Sequence, residues 1–238
     1  MLGFSIVPDQ AATTAGEYQK KGFTAQKWFF RYGPADGKEG IAQNLAMAAA
    51  VRDAVGDDYE LMFDAFNGWT LSYATEMVRA LEPIVPTWME EPIPPERISE
   101  LAKLRSAAKV PIATGEHVYT RWQVKELLVN KAVDFLQTDP DWTDGITELK
   151  KICALASAFE ILVVAHGHSL LPALHVAASE SPAVVPRVEF LIRGQETKQF
   201  FHDPVYVPEG GNVVVPDVPG LGLALDIEKI EKREEVAF

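Results

Sequence analysis

Six apolar runs in this chain each end in an acid or a histidine, and the endings recur at a nearly constant interval. They are LMFD to Asp64, TWME to Glu90, PIATGE to Glu116, FLQTD to Asp139, ILVVAH to His166 and VEF around Glu189. The steps between them are 26, 26, 23, 27 and 23 residues, about the length of one strand, one helix and two loops. A βα unit repeated in this way closes into a parallel barrel, and the carboxyl ends of its strands converge on one rim. Charged groups gathered on that rim are expected to carry chemistry.

Hydrophobic period and turn residues extend the pattern to eight strands: GFSIV, TAQKWFF, YELMFDA, PTWMEEP, VPIATGE, DFLQTD, EILVVAH and RVEFLI. Seven helices alternate with them, over about 10–21, 40–55, 71–81, 97–108, 121–130, 146–159 and 171–178. Runs with little apolar–polar alternation suit strands covered on both faces, which favours a parallel sheet over hairpins. The fold class expected is therefore α/β, a TIM-type (β/α)7β barrel over residues 1–195. The tail, 196–238, is rich in Pro and Gly and reads as an extension packing on the barrel. A helix closing the eighth unit is not evident.

With 238 residues and 47% hydrophobic side chains, the chain can bury one sizeable core. A formal charge of −12 with no basic cluster disfavours nucleic acid as a partner. The lone Cys153 excludes a disulfide framework and a soft-metal cluster, which fits a cytoplasmic home. No run approaches the roughly 18 apolar residues of a membrane span, so no membrane partner is expected either. A small molecule is the expected partner, and self-assembly is left open.

Asp64, Glu90 and Glu116 end three consecutive strands and would carry three negative charges into one partly desolvated sector. That arrangement is costly unless a cation neutralises it. Oxygen-only ligation suits a hard ion such as Mg²⁺. N-capping is the competing reading, but Glu caps poorly. Asp139 and His166 end neighbouring strands, so the carboxylate would orient the imidazole as a general base. Asp141 and Asp144 read as caps of the next helix. His168 faces the same mouth and is a candidate substrate contact. Its HxH spacing lacks the further histidines a zinc site needs. Glu189 would point back into the opening and, if protonated in a crowded anionic site, would hydrogen-bond a substrate carboxylate. Lys27 would pair with that carboxylate, and Arg31 follows as a second, more peripheral cation.

GFTAQKWFF, FDAFN, WMEEPIPPE, TGEH, LQTDPDWTDGIT, AHGHS and VEF, in this order and spacing, resemble the enolase superfamily, within it the acid-sugar dehydratases of the mandelate racemase group. The resemblance implies Mg²⁺ held by Asp64, Glu90 and Glu116, with Glu90 rather than Glu91 taking the ligand position of the E-E-P motif. It further implies a His166–Asp139 dyad, an electrophilic Glu189, and Lys27 as the first lysine of a K-x-K motif whose second is replaced by Phe29. Asn67 and His117, in FDAFN and TGEH, would contact substrate. One missing base argues for a one-base dehydration of an aldonate to a 2-keto-3-deoxy acid through an enediolate. The GEH and AHGHS contexts look most like rhamnonate-type dehydratases. Epimerase, racemase, cycloisomerase or an impaired barrel are the alternatives. Family members also begin with a capping domain that this chain is expected to lack.

Overall fold

The structure, a computed structural model, describes residues 7–234. Helices α1 (Pro8–Lys20), α2 (Gly37–Val55), α3 (Leu71–Ala80), α4 (Ile98–Ala107), α5 (Arg121–Val129), α6 (Gly145–Ser157) and α7 (Leu170–Ser179) lie within a residue or three of the expected spans. Between them run β1 (Ala25–Phe29), β2 (Glu60–Asp64), β3 (Trp88–Glu90), β4 (Ile112–Thr114), β5 (Phe135–Leu136) and β6 (Leu162–Val163). The strand expected at GFSIV lies almost entirely outside the described residues. RVEFLI is not a regular strand, but a parallel bridge from Ala165 to Val188 carries the pairing one position beyond β6. The chain is thus an α/β barrel of the TIM type, with six parallel strands in sequence order among the described residues.

Alternation along each strand decides what reaches the site. A strand turns successive side chains to opposite faces. In β2, Leu61 and Phe63 join the core shared with the helices, while Met62 belongs to a small inner cluster with Trp88, Ala113 and Val164. Two residues further along the same inner faces stand Asp64, Glu90 and His166. The outer core is completed by Val51, Met77, Leu104, Leu127 and Ile152 from the helices, all at most 2% exposed. Buried Arg52 of α2 donates to the carbonyls of Ile84, Gly56 and Tyr59, tying the end of that helix to the loops before β2 and β3.

Two glycines let strand ends crowd together. A Cβ on Gly115, at φ +152°, would sit 2.6 Å from the Gln137 nitrogen, so Glu116 can follow only because that side chain is missing. A Cβ on Gly167 would come 2.7 Å from the Glu189 carbonyl oxygen. Arg187 grips half-exposed Glu60 with two contacts of 2.5 and 2.8 Å, joining the last segment to the start of β2. The tail departs from a plain extended segment. It begins with a one-turn helix, α8 (Gln195–Lys198), where no eighth helix was expected, and pairs β7 (His202–Asp203) antiparallel with β8 (Ala224–Leu225). No helix is long and apolar enough to cross a membrane among the described residues.

Candidate active site

Lys27 reaches inward from β1 to the centre of the acidic sector. Its Nζ lies 2.5 Å from Glu90 Oε1, 3.0 Å from Glu189 Oε1 and 3.5 Å from Asp64 Oδ2. Burial works against its charge, but Glu189, Glu90 and Asp64 more than compensate and hold its pKa well above the ordinary lysine value. Glu90 is fully buried, and its second oxygen accepts from the Trp88 indole at 3.0 Å. Burial pushes Glu90 well above the usual carboxylate range, with Asp64 adding to the effect. Burial likewise raises Asp64 to about 7, although Lys27 opposes it.

Glu189 departs from the protonated state expected for it. Burial, the largest single influence, favours the neutral acid, yet Lys27 together with the other nearby positive groups, His166 among them, outweighs it and holds its pKa at about 2. An anionic crowd alone would have raised it. The positive groups in its midst, Lys27 foremost, reverse the sign.

His166 forms the expected dyad, with Nδ1 2.9 Å from Asp139 Oδ2. Its Nε2 faces the interior, 3.0 Å from Glu116 Oε2 and 4.0 Å from Glu189 Oε2. Burial lowers the imidazole pKa, but Asp139 and Glu116 overcome this and raise it to about 10. Glu116 shows the reciprocal effect. Burial pushes it up, and His166 brings it below its ordinary value.

Beside this dyad stands a second carboxylate–imidazole pair that the sequence reading missed. Glu91, at φ +42°, turns away from Glu90 and meets His117 Nδ1 at 2.8 and 2.9 Å. Asn67, at φ +58°, donates to Glu91 at 2.8 Å and lies 3.1 Å from His117. Asn67 and His117 are thus brought together at the mouth by a residue assigned no role from sequence. Only its position beside Glu90 hinted at it. Trp142, 43% exposed, meets His117 and His168 edge-on at 6.0 and 5.6 Å between ring centres. His168 Nδ1 is bound to Asp141 Oδ2 at 3.0 Å, and Asp141 Oδ1 takes the Ser169 hydroxyl at 2.5 Å. Asp141 therefore braces the AHGHS loop instead of capping α6, and Asp144 at the N-cap position makes no side-chain cap. Arg31 is exposed and makes no ion pair among the described residues.

Asp64, Glu90 and Glu116 line the same interior without closing into one ligating cluster. The groups within ligating reach of one another among the described residues are Glu91, Glu116 and His117, and Asp139, Asp141 and His168. Lys27 is the cation that Asp64 and Glu90 face here. Their chemistry nonetheless fits a hard divalent ion. The buried Asp64 Oδ2 has no hydrogen-bond partner and lies 3.5 Å from the Lys27 ammonium, so it retains acceptor capacity toward the interior. Glu189 Oε1 and Glu116 Oε2 are held by the ion pairs with Lys27 and His166.

A TIM-type barrel that gathers buried carboxylates, a lysine and a carboxylate-backed histidine at its strand ends has the groups that acid–base chemistry needs, at the end of the barrel where such chemistry is carried. Residues 10–230 match the Enolase C-terminal domain-like family, and the chain belongs to it. It is 35% identical over 194 residues to an arabinonate dehydratase of Saccharolobus solfataricus, covering 79% of this chain and 51% of that protein. It is 34% identical over 215 residues to an L-rhamnonate dehydratase of Saccharopolyspora erythraea, covering 87% and 54%. The structure of L-talarate dehydratase from Polaromonas sp. JS666, complexed with Mg and L-glucarate, superposes with a TM-score of 0.80 at 30% identity, covering 94% of this chain and 59% of that one. The chain thus spans about half the length of the curated relatives it matches. Both of those relatives are dehydratases by name.

Proposed function

We propose that this chain carries the catalytic barrel of a Mg²⁺-dependent dehydratase of sugar acids, of the aldonate type named for its relatives. The observation that carries the reading is the inward-facing Nε2 of His166, backed by Asp139 and set opposite the Lys27–Glu189 pair. A bound Mg²⁺ would be held by Asp64, Glu90 and Glu116, and would supply positive charge beside the substrate carboxylate while relieving the anionic field that keeps His166 protonated.

Lys27 pairs with the substrate carboxylate and shares the charge it now gives to Glu189. The pKa of Glu189 then rises from its depressed value, so that it takes up a proton from solvent and can donate a hydrogen bond to the carboxylate oxygen on which charge develops. His166 Nε2 takes the α-proton, and the C–H electrons pass into the enediolate. The β C–O bond then breaks, the hydroxyl leaves as water with the proton returned by His166, and the enol product tautomerises to the 2-keto-3-deoxy acid. Asn67, His117 and His168 line the mouth and contact the substrate hydroxyls. Phe29 stands two residues after Lys27, where the racemases carry their other base, so only one face of the α-carbon meets a base.

His166→Asn should abolish keto-acid formation while Mg²⁺ binding, read by calorimetry, persists. Full turnover in that variant excludes the assignment. Turnover in D₂O separates dehydration from epimerisation, because α-deuterium in recovered substrate without a keto product means reversible proton transfer.

A further inference from the structure

A cavity of about 450 Å³ opens between Asp141, His168 and Ser169 on one side and α8 with the tail on the other. Its volume suits a ligand of several heavy atoms better than a single ion. Leu171, Leu221 and Leu223 give it an apolar floor, and His168, Lys198 and His202 contribute donors to its walls. Nothing in the reaction described above uses Lys198 or His202.

Both carry unmet hydrogen-bonding capacity. Lys198 is half-buried, and among the described residues its ammonium makes no ion pair or hydrogen bond. Burial lowers its pKa, while Asp139 and Asp141 act on it from nearby to raise it. Those two acids are already engaged. Asp141 holds Ser169 and His168, and Asp139 accepts from His166 at 2.9 Å, from the His168 nitrogen at 3.1 Å and from the Asp141 nitrogen at 2.8 Å. His202 Nδ1 is buried with no partner. A buried polar group without a partner costs about 1–3 kcal/mol, so such groups generally meet a ligand or water. The cavity also shares its wall with the reaction centre. His168 stacks on His166 at 6.5 Å between ring centres and lines the cavity. His168 is thus the side chain that the reaction centre and the cavity share.

We infer that this cavity takes an anionic group at the far end of the substrate, so that the chain favours sugar acids bearing a second negative charge, either a terminal carboxylate or a phosphate ester. The inference rests on the reading that the main site binds a sugar acid, and it moves the preferred substrate from a plain aldonate to one charged at its far end.

The test is calorimetric, on His166→Asn chain with Mg²⁺, so that ligands are bound without turnover. The probes are gluconate, glucarate and 6-phosphogluconate, which share a carbon chain and differ at its far end. At least one dianion is expected to bind ten times more tightly than gluconate, and whether it is glucarate or 6-phosphogluconate identifies the group. Lys198→Met should bring that ratio to within twofold, and Lys198→Arg, which keeps the charge, should preserve most of it. Gluconate binding within threefold of both dianions, or a ratio unchanged by Lys198→Met, overturns the inference. A retained preference in a chain that dehydrates nothing overturns the dehydratase reading alone. Failure to bind any of the three overturns both.

Discussion

Asp64 shows how one buried side chain can couple metal affinity to pH. Its Oδ1 is committed to the Phe66 nitrogen at 2.7 Å, whereas Oδ2 has no hydrogen-bond donor. Burial raises its pKa from 3.8 to about 7, so below pH 7 the carboxyl of the cation-free chain holds a proton. A cation ligated there must displace that proton. On account of Asp64 alone, Mg²⁺ affinity is therefore expected to fall about tenfold per unit below pH 7, since each pKa unit corresponds to about 1.4 kcal/mol. The raised Glu90 and His166 extend the rise with pH beyond 7. Calorimetric titrations at pH 6, 7 and 8 measure this directly. An affinity constant across that range would mean that Asp64 is ionised before the metal arrives, or that it does not bind the metal.

At the scale of elements, helices were far more legible in the sequence than strands. α3 follows Thr70, whose side chain accepts from the Tyr73 nitrogen, and α2 stops at Gly56 with φ +86°. Both ends are written in local residue types. EILVVAH, by contrast, forms a regular ladder only at Leu162–Val163, with a single further bridge at Ala165 before His166. Apolar content showed where a strand runs but not where its hydrogen bonds stop. The site was legible at Lys27, Asp64, Glu90, Asp139 and His166 because inward positions two residues apart project from the same face. The Glu91–His117–Asn67 network was not, since it depends on left-handed backbone at Asn67 and Glu91, and nothing in those residue types demands it. The same holds for the latch of the tail. Gly211, at φ +78°, passes so close to the loop before β1 that a Cβ would lie 2.1 Å from the Gly22 carbonyl oxygen. Gly211→Ala adds both a clash with backbone and an unfavourable dihedral, each costing about 1 kcal/mol or more. It is expected to speed proteolysis within the tail while far-UV circular dichroism, dominated by the barrel helices, stays near that of the parent.

For the whole molecule, the buried acids set catalytic potential against stability. A carboxyl whose folded pKa is raised binds its proton more tightly in the fold than in the unfolded chain. Its penalty is therefore absent below the unfolded pKa near 3.8, grows with pH and is complete above the folded value of about 7. Metal-free chain should accordingly lose stability between those limits on account of Asp64, and Asp64→Asn should remove that part of the loss. Mg²⁺ acts in the opposite direction because it binds the fold and not the open chain. At one hundred times its dissociation constant it adds about 2.7 kcal/mol. At 2–4 °C per kcal/mol for a chain of this size, Tm should rise by roughly 5–10 °C. Thermal melts of parent and Asp64→Asn at pH 8, with and without Mg²⁺, test both effects together. The variant should melt above the metal-free parent and respond little to the ion. A variant that melts lower, yet still gains as much from Mg²⁺ as the parent, would show that Asp64 serves the fold and the metal lies elsewhere.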